Sequence, residues 1–324
     1  MTSSDDPHPG QPGPAVSTAV DGTVLAIDVG GTTIKGEITA PDGTVTAAAT
    51  VATPRGAAAL DAVTDLGETL LSRLGDRARR EVARAAVLLP GIVDAERGVA
   101  VLSANIGWRD VIIGGRWRDR WRVPTLLDHD TTVAGWAEWR YGAGAGTDTV
   151  CVVTIGTGVA AVLAVNRRLV RGSRGQAGEI GHVAVRPDGI ACHCGNVGCV
   201  ETVASAGAIA HAYTRRTGRR VDGAADVLGV LDHDPDARAV RDDAVEALAD
   251  GLSGVIHAVC PQSIVLSGGL SEAGDAVCTP LQAALRRKLF VVAAPDVVAG
   301  AFGARAGLVG ARELARAGSR DGPS

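Results

Sequence analysis

One stretch, residues 178–201, reads GEIGHVAVRPDGIACHCGNVGCVE and holds three of the six cysteines, two of the seven histidines and two glutamates. A loop this polar cannot bury enough apolar surface to hold one shape, and a bound ion would supply the missing cross-link. His182, Cys192, Cys194 and Cys199 offer imidazole and thiolate ligands at the short spacings of a tetrahedral zinc site, with Gly195 and Gly198 letting the backbone turn tightly around it. The plain alternative is free thiols beside a chance histidine, which is how a lone Cys-x-Cys would read. A third cysteine five positions on and a histidine ten positions before favour zinc. The flanking carboxylates, Glu179 and Glu201, are either surface groups or side chains that the loop aims at a substrate.

The remainder has the means to fold. A chain of 324 residues, 46% hydrophobic with net charge −4, predicts roughly two domains with full cores. It has no electrostatic reason to seek nucleic acid or a membrane. Residues 1–21 are rich in Pro, Gly, Ser and Asp, with neither a basic start nor an apolar run, and read as a flexible, disordered tail rather than a signal peptide. The longest uncharged run, 149–166, is interrupted by Gly156 and Gly158. Its Val-rich halves read as two buried strands and a turn, not as a membrane span. Six cysteines without a secretion signal argue for reduced thiols or metal in a cytoplasmic protein.

Along the chain, residues 24–29 form a short apolar run carrying Asp28, followed by Gly30, Gly31, Thr32 and Thr33 and a second extended run, 34–39. This reads as a hairpin whose turn either cradles phosphate with exposed N–H groups or is a plain Gly-Gly turn. It is not a Walker loop, because the Gly-Lys-Ser/Thr ending is missing. Residues 57–74 place Leu60, Val63, Leu66, Leu70 and Leu74 on one helical face. In the segment RWRDRWR, basic and aromatic residues alternate as in some nucleic-acid binders. Trp117 and Trp121 are four apart, however, so on a helix they pack inward and leave the arginines in solvent.

A strand at 124–127 delivers Asp128, His129 and Asp130 to a helix at 131–139. An Asp there is an N-cap, or a carboxylate at the strand end where α/β folds place their sites. Thr154, Gly156, Thr157 and Gly158 make a second Gly/Thr turn, helices are expected over 203–214 and 236–258, and a strand at 263–267 ends in Gly268 and Gly269. Strands alternating with helices and three glycine turns predict two α/β domains facing a shared nucleotide cleft.

The segments AIDVGGTTIKGEI, SANIGW, the strand end at Asp130, VTIGTG, the GEIGH to GCVE block and IVLSGGL resemble, in order, those of the ROK family of sugar kinases and repressors, from about residue 24 to 311. The resemblance implies an α/β fold of two actin-like ATPase (ribonuclease H-like) domains. The first would span 22–132, completed by a C-terminal helix at 300–317, and the second, 133–299, would carry the zinc-binding loop. It implies that Asp28, Gly30, Gly31, Thr32 and Thr33 form a first phosphate motif, with Asp28 reaching Mg2+ through water. Thr154, Gly156, Thr157 and Gly158 would form a second phosphate motif, and Gly268 and Gly269 an adenosine motif. Asn105, Asp130, Glu179, His182 and Glu201 match sugar-contacting positions, and Asp130 matches the catalytic base. His182 would serve twice, one ring nitrogen on Zn2+ and the other on a sugar hydroxyl.

The implied activity is ATP- and Mg2+-dependent phosphorylation of a hexose primary hydroxyl, glucose to glucose 6-phosphate first, by a homodimer or tetramer. Kinases for an aminosugar, an N-acylmannosamine or a cyclitol are alternatives. Repressors of the family carry a helix-turn-helix domain before the first phosphate motif, and about twenty residues would be too short for one. The acidic charge also argues against DNA. A sugar-binding protein without catalysis is a third reading. Four departures from the family pattern bear on these choices: Ala160 and Ala161 stand where glycines are usual, Asn166-Arg167 replaces Asn-Gly, His129 replaces an asparagine, and Ser267 replaces a glycine. The alanines predict altered ATP affinity, and His129 predicts an altered sugar.

Overall fold

The computed structural model describes residues 19–103, 105–173 and 175–319. The tail expected over 1–21 lies, up to residue 18, outside the described residues. The chain divides into two compact units, Met1–His129 with Leu314–Ser324, and Asp130–Glu313.

The first unit runs β1 (Thr23–Val29), β2 (Thr33–Thr39), β3 (Val45–Ala52), α1 (Ala58–Ser72), α2 (Asp76–Arg80), β4 (Val82–Leu89), β5 (Ile92–Asp94), β6 (Val99–Ser103), β7 (Trp108–Ile112), α3 (Arg116–Trp121) and β8 (Thr125–His129). Its main sheet has the order β3-β2-β1-β4-β8, with β5, β6 and β7 in a small separate sheet. The first three strands form an antiparallel meander, and β4 and β8 continue the sheet in parallel from β1. Parallel strands are covered on both faces, hence the unbroken apolar runs: Leu25, Ala26 and Ile27 on β1 and Val87, Leu88 and Leu89 on β4 are all fully buried.

Against this sheet α1 buries Leu60, Val63, Leu66 and Leu70, together with Leu71. Leu74 falls past the helix end and packs half-buried at the edge of the core. The tryptophans of α3 point inward, stacked at 5.9 Å, and both indole N–H groups bond Thr64 of α1, on its hydroxyl and its carbonyl. Arg116 and Arg120 stay outside and pair with Asp61 and Glu68 of the same helix. The C-terminal residues complete this unit. Buried Arg84 donates to the Ala315 carbonyl at 3.0 Å, the Val20 N–H to Arg316 O at 2.8 Å, and the Arg316 guanidinium to Ala40 O at 2.7 Å.

The second unit runs α4 (Asp130–Tyr141), β9 (Val150–Ile155), β10 (Val159–Val165), β11 (Arg168–Leu169), α5 (Glu201–Ala204), α6 (Ala206–Thr217), α7 (Ala224–Leu228), α8 (Pro235–Val259), β12 (Ser263–Ser267), α9 (Asp275–Lys288), β13 (Asp296–Ala299) and α10 (Ala306–Ala317), whose last turn belongs to the first unit. Its sheet has the order β11-β10-β9-β12-β13. The plan repeats: an antiparallel meander from β9, then two parallel strands. Each unit therefore places a tight hairpin turn at the carboxyl end of its central strand, at 30–32 in one and 156–158 in the other.

Two helix starts in this unit use side-chain caps. Ser205 Oγ accepts from Ala208 N–H, and Asp234 accepts from Asp236 and Ala237 N–H with Pro235 at the first helical position. Among the described residues no helix is long and apolar enough to cross a membrane.

Candidate functional site

In the first unit the turn after β1 is closed by the Gly30 N–H on Thr33 O at 2.9 Å. Thr53, at the foot of β3, clips it from outside: its hydroxyl donates to Gly30 O at 2.8 Å and its N–H to Thr32 O at 2.9 Å. Asn105 lies beside this turn, since a Cβ built on Gly31 would sit 3.6 Å from Asn105 Nδ2. The loop bearing Asn105 is pinned in turn, Gly56 N–H bonding Ile106 O and Trp108 Nε1–H bonding Gly56 O. Asp28 is half-buried opposite Lys35 in the strand register. Burial pushes its carboxyl up to about 6, against the pull of Lys35. An anion held out of solvent in this way gains from a cation close by.

In the second unit Asp130 opens α4, and its Oδ1 accepts the N–H of the next residue, Thr131, at 2.6 Å. Further along α4, Glu138 is fully buried and accepts three backbone N–H groups, from Ala143, Ala301 and Phe302.

The turn 156–158 is held at three points. The Gly156 N–H bonds Gly158 O at 3.0 Å, the Ala206 N–H bonds Gly156 O at 2.9 Å, and the Val159 N–H bonds Glu201 Oε2 at 3.0 Å. The segment carrying Glu179 and His182 is tied to the strand leaving that turn, through Ala161 N–H on Gly178 O at 2.7 Å. The Ala161 methyl points into the core, so any effect of the two alanines on a nucleotide narrows to Ala160. Gly268 has φ +82, and a Cβ there would lie 2.6 Å from Ile155 O; the third glycine turn thus presses against the end of β9, where a side chain would not fit. The hydroxyls of Thr154 and Ser267, adjacent in register, are buried without a partner among the described residues. A cavity of ≈ 670 Å3 borders Thr157, Glu201, Ser205, Gly207 and His211, within the size range of small-molecule sites.

The cysteine-rich loop gathers its candidate ligands. One ligand atom from each of His182, Cys192, Cys194 and Cys199 lies within 4.8 Å of all the others. Cys192 Sγ is 3.6 Å from His182 Nδ1, and Cys194 Sγ is 3.7 Å from Cys199 Sγ. A tetrahedron with metal–sulfur bonds of about 2.3 Å has edges of about 3.8 Å, so the donor set and spacing fit zinc. His182 Nδ1 faces the thiols, while Nε2 lies on the other side of the ring, 3.8 Å from Glu179 Oε2. Burial, with the neighbouring Cys194 and Cys192, pushes the Cys199 thiol up to about 12, a proton that a bound metal would displace.

The loop is tightly built. Val185 and Arg186 N–H both bond Gly198 O. Gly198, at φ +69, packs so close to the Arg186 carbonyl that a Cβ would collide with it. Arg186 anchors the loop to α8 through Asp250 at 2.9 Å and Asp243 at 3.4 Å.

Thr53, Glu138 and Arg186 belong to no motif that the sequence displays. A threonine before a proline, a glutamate in a helix and an arginine in a loop are ordinary surface choices.

The sequence signature described as "ROK family" matches residues 24–317. A glucokinase of Streptomyces coelicolor is 30% identical over 318 residues, covering 91% of this chain and 98% of that protein. An N-acetylmannosamine kinase of Yersinia pseudotuberculosis is 37% identical over 189 residues, 58% of this chain and 63% of that protein. The crystal structure of a ROK family glucokinase from Streptomyces griseus in complex with glucose and AMPPNP aligns with TM-score 0.78 at 29% identity, covering 91% of this chain and 99% of that one.

Proposed function

The chain belongs to the ROK family and is an ATP-dependent sugar kinase, and from that premise we propose that it phosphorylates a primary hydroxyl of a hexose, with glucose the first choice. The observation that supports this best lies in the second unit. There Glu201 accepts the Val159 N–H at the exit of the turn 156–158, and β10, which leaves that turn, holds the segment of Glu179 and His182 through Ala161 N–H on Gly178 O. A set of groups suited to a polyhydroxylated ligand is thus built onto a turn suited to phosphate. The repeated sheet plan, with a glycine turn at each central strand end, supports an actin-like pair of ATPase domains.

In this reading Asp130 accepts the proton of the attacking hydroxyl, worth roughly 10²-fold to 10⁴-fold. The N–H groups of Gly31, Thr32 and Thr33 and of Thr157 and Gly158, beside Thr154 and in the turns that Gly30 and Gly156 close, spread the phosphoryl charge. Gly268 and Gly269 receive the adenosine, and Asn105, Glu179, His182 and Glu201 hold the sugar. Asp28, with its burial-raised carboxyl, would hold Mg2+ through water, and the ion would neutralise phosphate charge. His182, Cys192, Cys194 and Cys199 would hold a structural Zn2+ through Nδ1 and three sulfurs, which leaves His182 Nε2–H to donate to a sugar hydroxyl. A cytoplasmic homodimer completes the reading.

A second acceptor class has its own support. His129 precedes Asp130, and the N-acetylmannosamine kinase shares 37% identity over 189 residues, which favours an N-acylated aminosugar as the alternative to glucose.

A panel of hexoses, aminosugars and cyclitols with ATP and Mg2+, read by mass spectrometry, decides between these, with glucose expected to give a 6-phosphate. Asp130→Asn should lower turnover at least 10²-fold. Near-wild-type turnover in that variant would remove the proposed base, and the absence of product from every acceptor would favour a binding protein.

A further inference from the structure

Glu201 does more in this fold than face a ligand. Its Oε2 accepts the Val159 N–H at 3.0 Å, and a Cβ built on Gly158 would lie 2.6 Å from the same oxygen and 3.6 Å from Cδ. Glu201 opens α5, whose start is fastened to the cysteine cluster: both the N–H and the hydroxyl of Thr202 bond the Cys199 carbonyl, at 3.0 and 2.7 Å. One carboxylate oxygen is therefore committed to the phosphate-type turn, and the carboxylate cannot move without releasing Val159.

We propose that Glu201 is a positioning residue that couples the sugar site to the second phosphate turn. A sugar hydroxyl bound through Oε1 immobilises the carboxylate, the carboxylate fixes Val159 and Gly158, and occupancy of either site tightens the other. The coupling rests on the kinase reading above, and by linkage its binding effect is reciprocal.

Two glycines of one turn separate this device from ordinary turn geometry. Neither Gly156 nor Gly158 has a positive φ, so alanine suits the backbone at both positions. A Cβ on Gly156 meets nothing within 4 Å, whereas one on Gly158 meets only the Glu201 side chain. Hexose binding is therefore measured calorimetrically, without nucleotide, on the wild type, Gly156→Ala and Gly158→Ala. The expected result is a loss of about tenfold or more in Gly158→Ala, the order of one hydrogen bond to a charged group, with Gly156→Ala within about twofold of wild type.

A second measurement compares hexose affinity with and without a non-hydrolysable ATP analogue. Wild type should bind hexose more tightly with the analogue, and Glu201→Gln should bring the ratio towards one. Wild-type hexose affinity in Gly158→Ala, equal weakening in both alanine variants, or an unchanged ratio in Glu201→Gln would each overturn the coupling while leaving the kinase reading intact. A wild type that neither binds hexose nor transfers phosphate would overturn the kinase reading, and the coupling with it.

Discussion

Glu138→Gln is expected to destabilise the unit that carries Asp130, and the size of the loss can be worked from three hydrogen bonds. The fully buried carboxylate accepts Phe302 N–H on Oε1 at 2.8 Å, and Ala301 and Ala143 N–H on Oε2 at 2.9 and 3.3 Å. Glutamine keeps one oxygen. Its cheaper orientation retains Ala301 and Ala143 and turns the amide donor against the Phe302 N–H. One bond to a charged group is worth about 1.5–3 kcal/mol, and the two that survive lose their charge assistance, roughly half their strength. A total of about 3 kcal/mol follows, and at about 2–4 °C per kcal/mol for a unit of this size the melting temperature should fall by about 6–12 °C in scanning calorimetry.

The same bonds link α4, which begins at Asp130, to Ala301 and Phe302. The Gly300 N–H bonds Leu266 O, two positions before Gly268. ATP KM should therefore rise in Glu138→Gln even where the protein is folded. A Cβ on Gly300 would lie 2.6 Å from Glu138 Oε1 and 2.9 Å from Leu266 O, so Gly300→Ala strikes the same contact, and the double variant should lose less than the sum of the singles. A melting point within about 2 °C of wild type in Glu138→Gln would refute this account.

Thr53→Val keeps the side-chain shape but leaves Gly30 O without the 2.8 Å hydroxyl bond; at about 1 kcal/mol this should raise ATP KM several-fold with little change in hexose affinity, measured by steady-state kinetics and calorimetry. Elemental analysis should find one zinc per chain, and chelation should weaken hexose binding more than nucleotide binding; metal-free active protein would end the zinc reading. Acid should weaken the network that joins α8, α9 and the cysteine loop. Lys288 and Arg287 hold Glu246 below its ordinary value, and Asp250, although burial raises it, is brought below its own by Lys288 and Arg186. Folded values below unfolded ones mean that the native state binds fewer protons, so this stability is complete above about pH 4.5 and is lost as pH falls through the depressed values. Lys288→Met should flatten the fall in melting temperature below pH 4.5, and an identical profile in the variant would contradict it.

What could be read in the chain divides by the distance over which each feature is encoded. The hairpin around Gly30, the inward tryptophans of α3 and the gathering of His182, Cys192, Cys194 and Cys199 depend on residues within about twenty positions of one another, and spacing alone exposes them. Thr53 reaches Gly30 across 23 positions, Glu201 reaches Val159 across 42 and Glu138 reaches Phe302 across 164. Nothing in those local contexts announces a backbone partner elsewhere. Leu74 shows a smaller limit: the apolar period continued to it after the helix had ended at Ser72, because periodicity reports a face and not the end of the hydrogen-bond ladder.

The way the last helix closes the first unit bears on the order in which the protein is made. Arg84 is buried and draws on the Ala315 carbonyl, 231 positions later, and Val20 and Ala40 draw on Arg316. Chain emerges from the ribosome at about 5–20 residues per second, so the amino-terminal unit spends on the order of ten seconds or more with its sheet translated and its closing helix not yet made. The second unit, contiguous in sequence, has all its parts before then. The first unit to be synthesised is thus the last to be finished, and chains released just short of Leu314 would expose the β4 side of that unit to proteases and chaperones while the second unit is already sound.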